Sequence, residues 1–455
     1  MIDADRLKID MKTDAAPAAD YVNIRVDPTA FAYPDVPLPD VWTVRQKVDA
    51  PEISDVARSA ADAMARLFPD ARLRPGASVA VGVGSRGISN LPPIVRTVVE
   101  CLKARGCHPF IVPAMGSHGD ATAEGQTEIL HGYGITEESC GAPIRATMDV
   151  DLVSTLEDGY PVYFDRMALA ADAVVVVNRI KRHTCFQGRI ESGLAKMCAI
   201  GLGKHTGASS IHKFGFTGLR ETMPRVARRL MTCTNIVGGI GILDNAYGGT
   251  ADVHGLTANE IGGDREADLL ERSRALAPRL AFDDVDVLVV DRMGKDISGA
   301  GLDTHVIGRI RMPSTPDADW PGPTVRVIVA LDLTDQTHGN ATGLGLADIV
   351  TRRLIERVDF HATMTNHRTS GEGGAFRSKI PVVLADERAA VQAAIGCCGR
   401  GRPESVRLAR IQSTAFVETL EISAPLLEEA RSRDDIEVLS GPHPMNLSAL
   451  MGGTP

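Results

Sequence analysis

The stretch "SVAVGVGSRGISNLPPIVRTVVECLKARGCHPFIVPAM" (residues 78–115) decides the fold. Ser78–Gly84 is a short, valine-rich apolar run with the character of a strand. Leu91–Gly106 spaces its apolar residues at helical intervals and stops at a glycine, and His108–Met115 is strand-like again. A strand, a helix of this length and a second strand predict a parallel β-α-β unit.

The alternation continues outward. Residues 121–134, "ATAEGQTEILHGYG", read as a helix with a glycine stop. Strands are expected at 173–180, 285–292 and 324–333, and an amphipathic helix at 347–358, "ADIVTRRLIERV". Residues 379–386 followed by "ERAAVQAAI" read as another strand-helix unit. The fold class expected is α/β: two α/β domains with mainly parallel sheets and an active site in the cleft between them.

Residues 1–50, rich in proline and aspartate, form an N-terminal arm with a strand or two. The first domain spans 51–280 and the second 281–455, divided near the charged, proline-containing stretch 271–284. The C-terminal segment is free to pack back on the first domain.

Composition excludes several classes of protein. At 455 residues the chain exceeds one core of ordinary size. Its net charge of -9, with no basic stripe interleaved by aromatics, argues against a nucleic-acid partner. No apolar run approaches membrane-spanning length, so no membrane partner is expected. The N-terminal "MIDADRLKIDMKTDAAPAAD" lacks the apolar segment of a signal peptide. The 8 cysteines include no C-x-x-C pair and suit a reducing compartment, so a cytoplasmic location is expected.

One regularity points to function. Ser85-Arg86, Gly116-Ser117-His118-Gly119, Lys181-Arg182-His183, Gly294-Lys295-Asp296 and Thr337-His338-Gly339-Asn340 each follow an expected strand. Ligands of open α/β sheets bind beyond the carboxyl ends of parallel strands, where loops and helix N-termini converge.

His118 and His183 are candidate general acid/bases near neutral pH. His118 could equally cap the following helix, and His183 could equally belong to a basic surface loop with Arg179, Lys181 and Arg182. Lys196, in "SGLAKMCAIGL", is a lysine in apolar surroundings, costly unless paired or used as a nucleophilic amine. Snorkelling to the surface would satisfy it as well. His205 and His212 lie further on, without the helical spacing of a conventional zinc site. Arg86 and Lys295 are natural binders of carboxylate or phosphate.

In order, Arg86, "GSHGDATAEG" with His118, "NRIKRH" with His183, "SGLAKM" with Lys196, His212 and "MGKDIS" with Lys295 resemble the nickel-dependent lactate racemase family. The resemblance covers roughly residues 75–215 and 285–385. It implies a nickel-pincer nucleotide, covalently attached through Lys196, with His212 as the metal ligand.

His118, His183 and Lys295 would be catalytic, the two histidines as opposed acid/bases. Ser85, Arg86, Gly116 and Ser117 would bind the cofactor. The reaction implied is racemisation or epimerisation of a small-molecule 2-hydroxy acid by hydride transfer to and from the cofactor. Cofactor-maturation proteins would be partners, and a homo-oligomer stays open.

The chain departs from the family at Val83, where an acidic residue often precedes the arginine by three positions, and in supplying His205 as a second imidazole. A sugar-acid lyase or dehydratase in the same cleft without the pincer cofactor, and a non-catalytic ligand-binding homologue, are the alternatives.

Overall fold

The structure is a computed structural model that describes residues 35–68, 73–84, 87–369, 371–447 and 451; of residues 365–369, 371 and 372 only the backbone is described. Among these, the strands in chain order are β1 (Asp40–Gln46), β2 (Ser78–Val83), β3 (His108–Pro113), β4 (Val150–Thr155) and β5 (Pro161–Asp165). There follow β6 (Ala173–Arg179), β7 (Ile236–Asp244), β8 (Thr250–Thr257), β9 (Asp284–Met293) and β10 (Thr324–Leu333). The last are β11 (Ile349–Thr351), β12 (Val382–Leu384), β13 (Leu408–Ser413), β14 (Phe416–Ser423) and β15 (Ile436–Pro444).

The first sheet has the order β3-β2-β6-β7-β8, parallel except for the β7–β8 hairpin. Val79–Val83 and Ala173–Val177 are buried throughout, as expected of parallel strands covered on both faces. The helix Leu91–Ala104 opens with prolines in its first turn, where the missing N–H costs nothing, and buries Leu91, Ile94, Val95, Val98 and Leu102. It ends before Gly106, whose φ of 78° is in the left-handed region that glycine tolerates.

The second sheet has the order β12-β11-β10-β9-β13-β14-β1-β15, parallel from β12 to β13 and antiparallel beyond. β1, from the start of the described chain, thus pairs between β14 and β15. β4 and β5 form a separate two-stranded ribbon. Fold class is therefore α/β with mainly parallel sheets.

One expected element is corrected. Residues 347–358 are not one helix: Ile349–Thr351 is strand, and the helix covers only Arg352–Glu356. Ile349 and Val350 sit opposite Val329 and Ala330 on one side and Val382 and Val383 on the other. Bridging β10 to β12 satisfies their backbone within the sheet, and the side chain of Thr351 accepts a 3.1 Å bond from the Leu354 N–H to start the short helix.

Each sheet reverses its direction of growth once. In the first sheet β3 lies on one side of β2 and β6 on the other; in the second, β10 and β13 flank β9 in the same way. Crevices open at the carboxyl ends of such strand pairs because the connecting chains leave in opposite directions.

Candidate functional site

The two crevices meet. A cavity of about 340 Å³ is lined from the first sheet by Gly87, beyond β2, and by Arg179, Lys181 and Arg182, at and beyond the end of β6. From the second sheet it is lined by Asp296 and Ile297, beyond β9, and by Thr414, Ala415 and Phe416, around the β13–β14 turn. The turn after β7 adds Asp244, Asn245 and Tyr247. Arg179 pairs with Asp244, and Arg182 reaches Asp303 at 3.5 Å. Burial opposes ionisation of Asp303, but Arg182, His305 and Lys181 together hold its carboxyl below the usual range.

The segment after β6 carries Lys196 and His212. Leu194–Lys196 forms one helical turn that continues into a π-helical turn, Met197–Gly201. The buried Glu266 carboxylate holds the start of this turn, accepting the N–H of Ala195 at 3.1 Å and of Gly262 at 2.7 Å. Its seat requires Gly193, where a Cβ would lie 2.2 Å from Glu266 Oε1. Asn178, at the end of β6, donates to the Gly193 carbonyl at 3.3 Å.

His212 ends the helix Lys204–His212. The residue is exposed, though protein surrounds much of its ring. That crowding, aided by the Lys196 charge, lowers its pKa to about 4 and keeps the ring neutral. Lys196 and His212 are thus brought together. His205, exposed, lies 3.4 Å from Ser209 on the same helix.

The loop with Gly116, Ser117 and His118 packs on the same segment. The Gly116 N–H donates to the Gly201 carbonyl at 3.1 Å, and with φ of 60° its Cα lies against Ile200 and Ala208. His118 is exposed and precedes a short turn whose Gly119 abuts Gly125.

A buried ion pair supports this loop from below. Lys204 Nζ lies 3.1 Å from Asp165 Oδ2, both side chains fully buried. The ammonium also donates to the Pro113 carbonyl and, at 3.2 Å, to Gln126 Oε1. Gln126 Nε2 in turn donates to the Gly116 carbonyl at 2.9 Å and the His118 carbonyl at 3.2 Å. Burial pushes the Asp165 pKa up and the Lys204 pKa down, the signature of charges held against desolvation.

His183 lies on the other side of the β6 segment, its ring stacked on Phe186 with centroids 4.5 Å apart. Its Nδ1 accepts the Cys185 N–H at 3.1 Å, so the neutral ring carries its proton on Nε2. Its own N–H donates to the buried Glu191 carboxylate at 2.5 Å, which Arg274 also engages at 2.5 Å. Residues of the second half pin the loop. His305 Nε2 reaches the His183 carbonyl, Thr304 donates to the Thr184 carbonyl at 3.1 Å, and Arg377 contacts Cys185 Sγ at 3.1 Å.

Lys295 stands beyond β9, its N–H bonded to Thr337 Oγ1 at 3.0 Å. His118, His183, Lys196, His212 and Lys295 do not line the 340 Å³ cavity, although Lys181, Arg182 and Asp296 beside two of them do. Ser85 and Arg86 lie outside the described residues. Among the described residues no group of three His, Cys, Asp or Glu side chains could hold a metal ion. No described helix is long and apolar enough to cross a membrane.

Sequence reasoning missed Lys204, Asp165 and His305. Lys204, eight residues after Lys196, is likewise a lysine among apolar residues and glycines. No local signal marks Asp165 or His305, whose partners are remote in sequence.

No family model and no curated protein matches the sequence. Among solved structures, a Thermotoga maritima protein determined as a structural genomics target aligns over 60% of this chain and 70% of its own. It has 13% identity and a TM-score of 0.44. The lactate racemase apoprotein of Thermoanaerobacterium thermosaccharolyticum aligns over 90% of this chain and 94% of its own, with 12% identity and a TM-score of 0.44.

Proposed function

We propose that this chain is a racemase or epimerase of a 2-hydroxy acid that works with a nickel-pincer nucleotide. The observation that carries the reading is that the segment bearing Lys196 and His212 packs against the His118 loop through the Gly116 N–H to Gly201 carbonyl bond, with the Lys196 charge helping to lower the His212 pKa. The fit to the cofactor can be judged from these residues. An imidazole kept neutral presents a nitrogen donor, and a lone histidine suits a metal whose other donors come from the cofactor itself. Lys196 would carry the covalent attachment, His212 would complete the coordination of nickel, and Ser85, Arg86, Gly116 and Ser117 would hold the nucleotide. When bound, the cofactor supplies an acceptor and donor for the α-hydride.

The protein's own groups handle the proton and the carboxylate. His118, exposed at the end of β3, takes the substrate hydroxyl proton and returns it. Lys295 binds the carboxylate from the second sheet. His183 is the opposed acid/base, and for Nε2 to accept a proton the ring must release the Cys185 N–H from Nδ1. In this reading the domains are 51–280 and 281–455, and location is cytoplasmic.

The test is intact-mass measurement and metal analysis of protein produced together with the cofactor-maturation enzymes. An adduct lost in Lys196→Ala, with about one nickel per chain lost in His212→Ala, supports the reading. Protein with neither adduct nor nickel overturns it, and leaves a cofactor-free sugar-acid lyase or a binding protein. Racemisation that survives in a His118→Ala, His183→Ala double variant would refute the acid/base assignment.

A further inference from the structure

The cavity at the two sheet crevices has a lining that the reacting centre of a 2-hydroxy acid does not need. On the wall from the first sheet, Arg179 engages Asp244 Oδ2, while Asp244 Oδ1 is buried and accepts no hydrogen bond from any described residue. A buried carboxylate oxygen without a donor is costly and calls for one. Arg182 and Asp303 form a second acid–base pair at the same cavity, and Asp296, exposed on the opposite wall, accepts the Thr334 hydroxyl at 2.5 Å. Guanidinium and carboxylate side by side present fixed donors and acceptors a few ångströms apart, a spacing that matches neighbouring hydroxyls, each both donor and acceptor.

Two large rings stand in the lining beside the smaller apolar side chains of Ile297, Pro278 and Ala415. Tyr247 from the first-sheet wall and Phe416 from the second are both exposed large side chains of the cavity lining. Burial raises the pKa of the Tyr247 phenol, Glu418 on β14 adding to the rise and Arg45 on β1 opposing it. Flat rings beside paired polar groups suit a ligand with one C–H face and many hydroxyls. At about 30 Å³ per water-sized group, the volume of about 340 Å³ holds on the order of ten such groups. Lactate, at about six such groups, would leave about half of it empty.

We propose that this cavity receives the hydroxyl-bearing chain of an aldonic acid of about five or six carbons, so that the substrate is a sugar acid rather than lactate. The proposal rests on the preceding reading for its chemistry, but the binding it asserts stands on the cavity alone. Asp244 accepts one hydroxyl, Arg182 donates to another, and Phe416 covers the C–H face.

Titration calorimetry on the purified full chain, without cofactor, tests it with D-gluconate and D-galactonate as probes and L- and D-lactate as controls. At least one aldonate should bind with a Kd of about 1 mM or tighter, at least tenfold below lactate. Asp244→Asn should weaken it about tenfold, and Phe416→Ala, on an exposed side chain, several-fold. Aldonates that bind no better than lactate overturn the proposal, as does aldonate binding unchanged in Phe416→Ala and Tyr247→Ala. Those two variants decide if Asp244→Asn does not fold. Failure of the cofactor reading is seen separately, as a missing adduct in protein that still binds the aldonate.

Discussion

His305 Nε2 lies 3.1 Å from the carbonyl oxygen of His183, so a ring from the second half of the chain holds the backbone of the loop that carries a proposed acid/base. The carbonyl only accepts, so Nε2 carries the proton and donates it. Burial lowers the His305 pKa to about 4, with Arg182 adding to the cost of its protonation and Asp303 partly offsetting it. The ring also packs on Trp320, with centroids 4.6 Å apart.

A pH dependence follows from His305. The unfolded histidine binds its proton near pH 6.5 and the folded one only near 4. Between these values the unfolded chain holds the extra proton, so stability present above pH 6.5 is lost as pH falls toward 4. The contribution is of order 3 kcal/mol. Chemical denaturation of wild type and His305→Asn at pH 7.5 and pH 4.5 checks it: the difference between them should shrink at the lower pH.

The buried Lys204–Asp165 pair predicts an asymmetric response to substitution. Lys204→Met leaves the Asp165 carboxylate buried without its cation, which costs about 3–5 kcal/mol. Adding Asp165→Asn should recover a good part of this, because the uncompensated charge is then gone. Melting temperatures of the two variants measure the recovery; a double variant as unstable as the single one would show that packing, not charge, dominates.

Gly119 has a φ of 64°, and a Cβ there would lie 2.5 Å from the Gly125 carbonyl carbon. Gly119→Ala should cost about 1–2 kcal/mol for the backbone alone and push the His118 loop off the helix Ala123–Gly132. Gly132→Ala, with no atom within 4 Å of the new Cβ, is the control and should stabilise slightly. Protease sensitivity near residue 118 reports the loop directly.

Glu266 should act on Lys196 through the backbone. Glu266→Ala strands the N–H groups of Ala195 and Gly262, at about 1–3 kcal/mol each. If the turn positions Lys196, adduct formation by protein made with the maturation enzymes should fall further than the folded fraction does. Glu266→Gln, which keeps an acceptor oxygen, should restore most of both.

Much of the fold was legible because its signals are local. The valine runs at 78–83, 173–177 and 285–290 became central parallel strands, and the spacing at 91–104 became a helix. Residues 347–358 misled because Ile349, Val350 and Leu354 fit a helical face as well as a short strand followed by one turn. A three-residue strand declares itself only when β10 and β12 are beside it.

The sequence alone determined that chemically capable residues follow parallel strands, because strand runs and glycine-rich loops are written in adjacent residues. It also marked Lys196 and His212 on one short segment. Tertiary structure decided the order of the strands, and so which strand ends face each other. Asp244 and Thr414 share a cavity across some 170 positions of chain only because the end of β7 in one sheet and the β13–β14 turn in the other face it together. It also decided that Lys204 is buried against Asp165 while His205, its neighbour, is exposed. Burial of a polar side chain depends on partners that fold onto it from elsewhere, and periodicity along the chain carries no record of them.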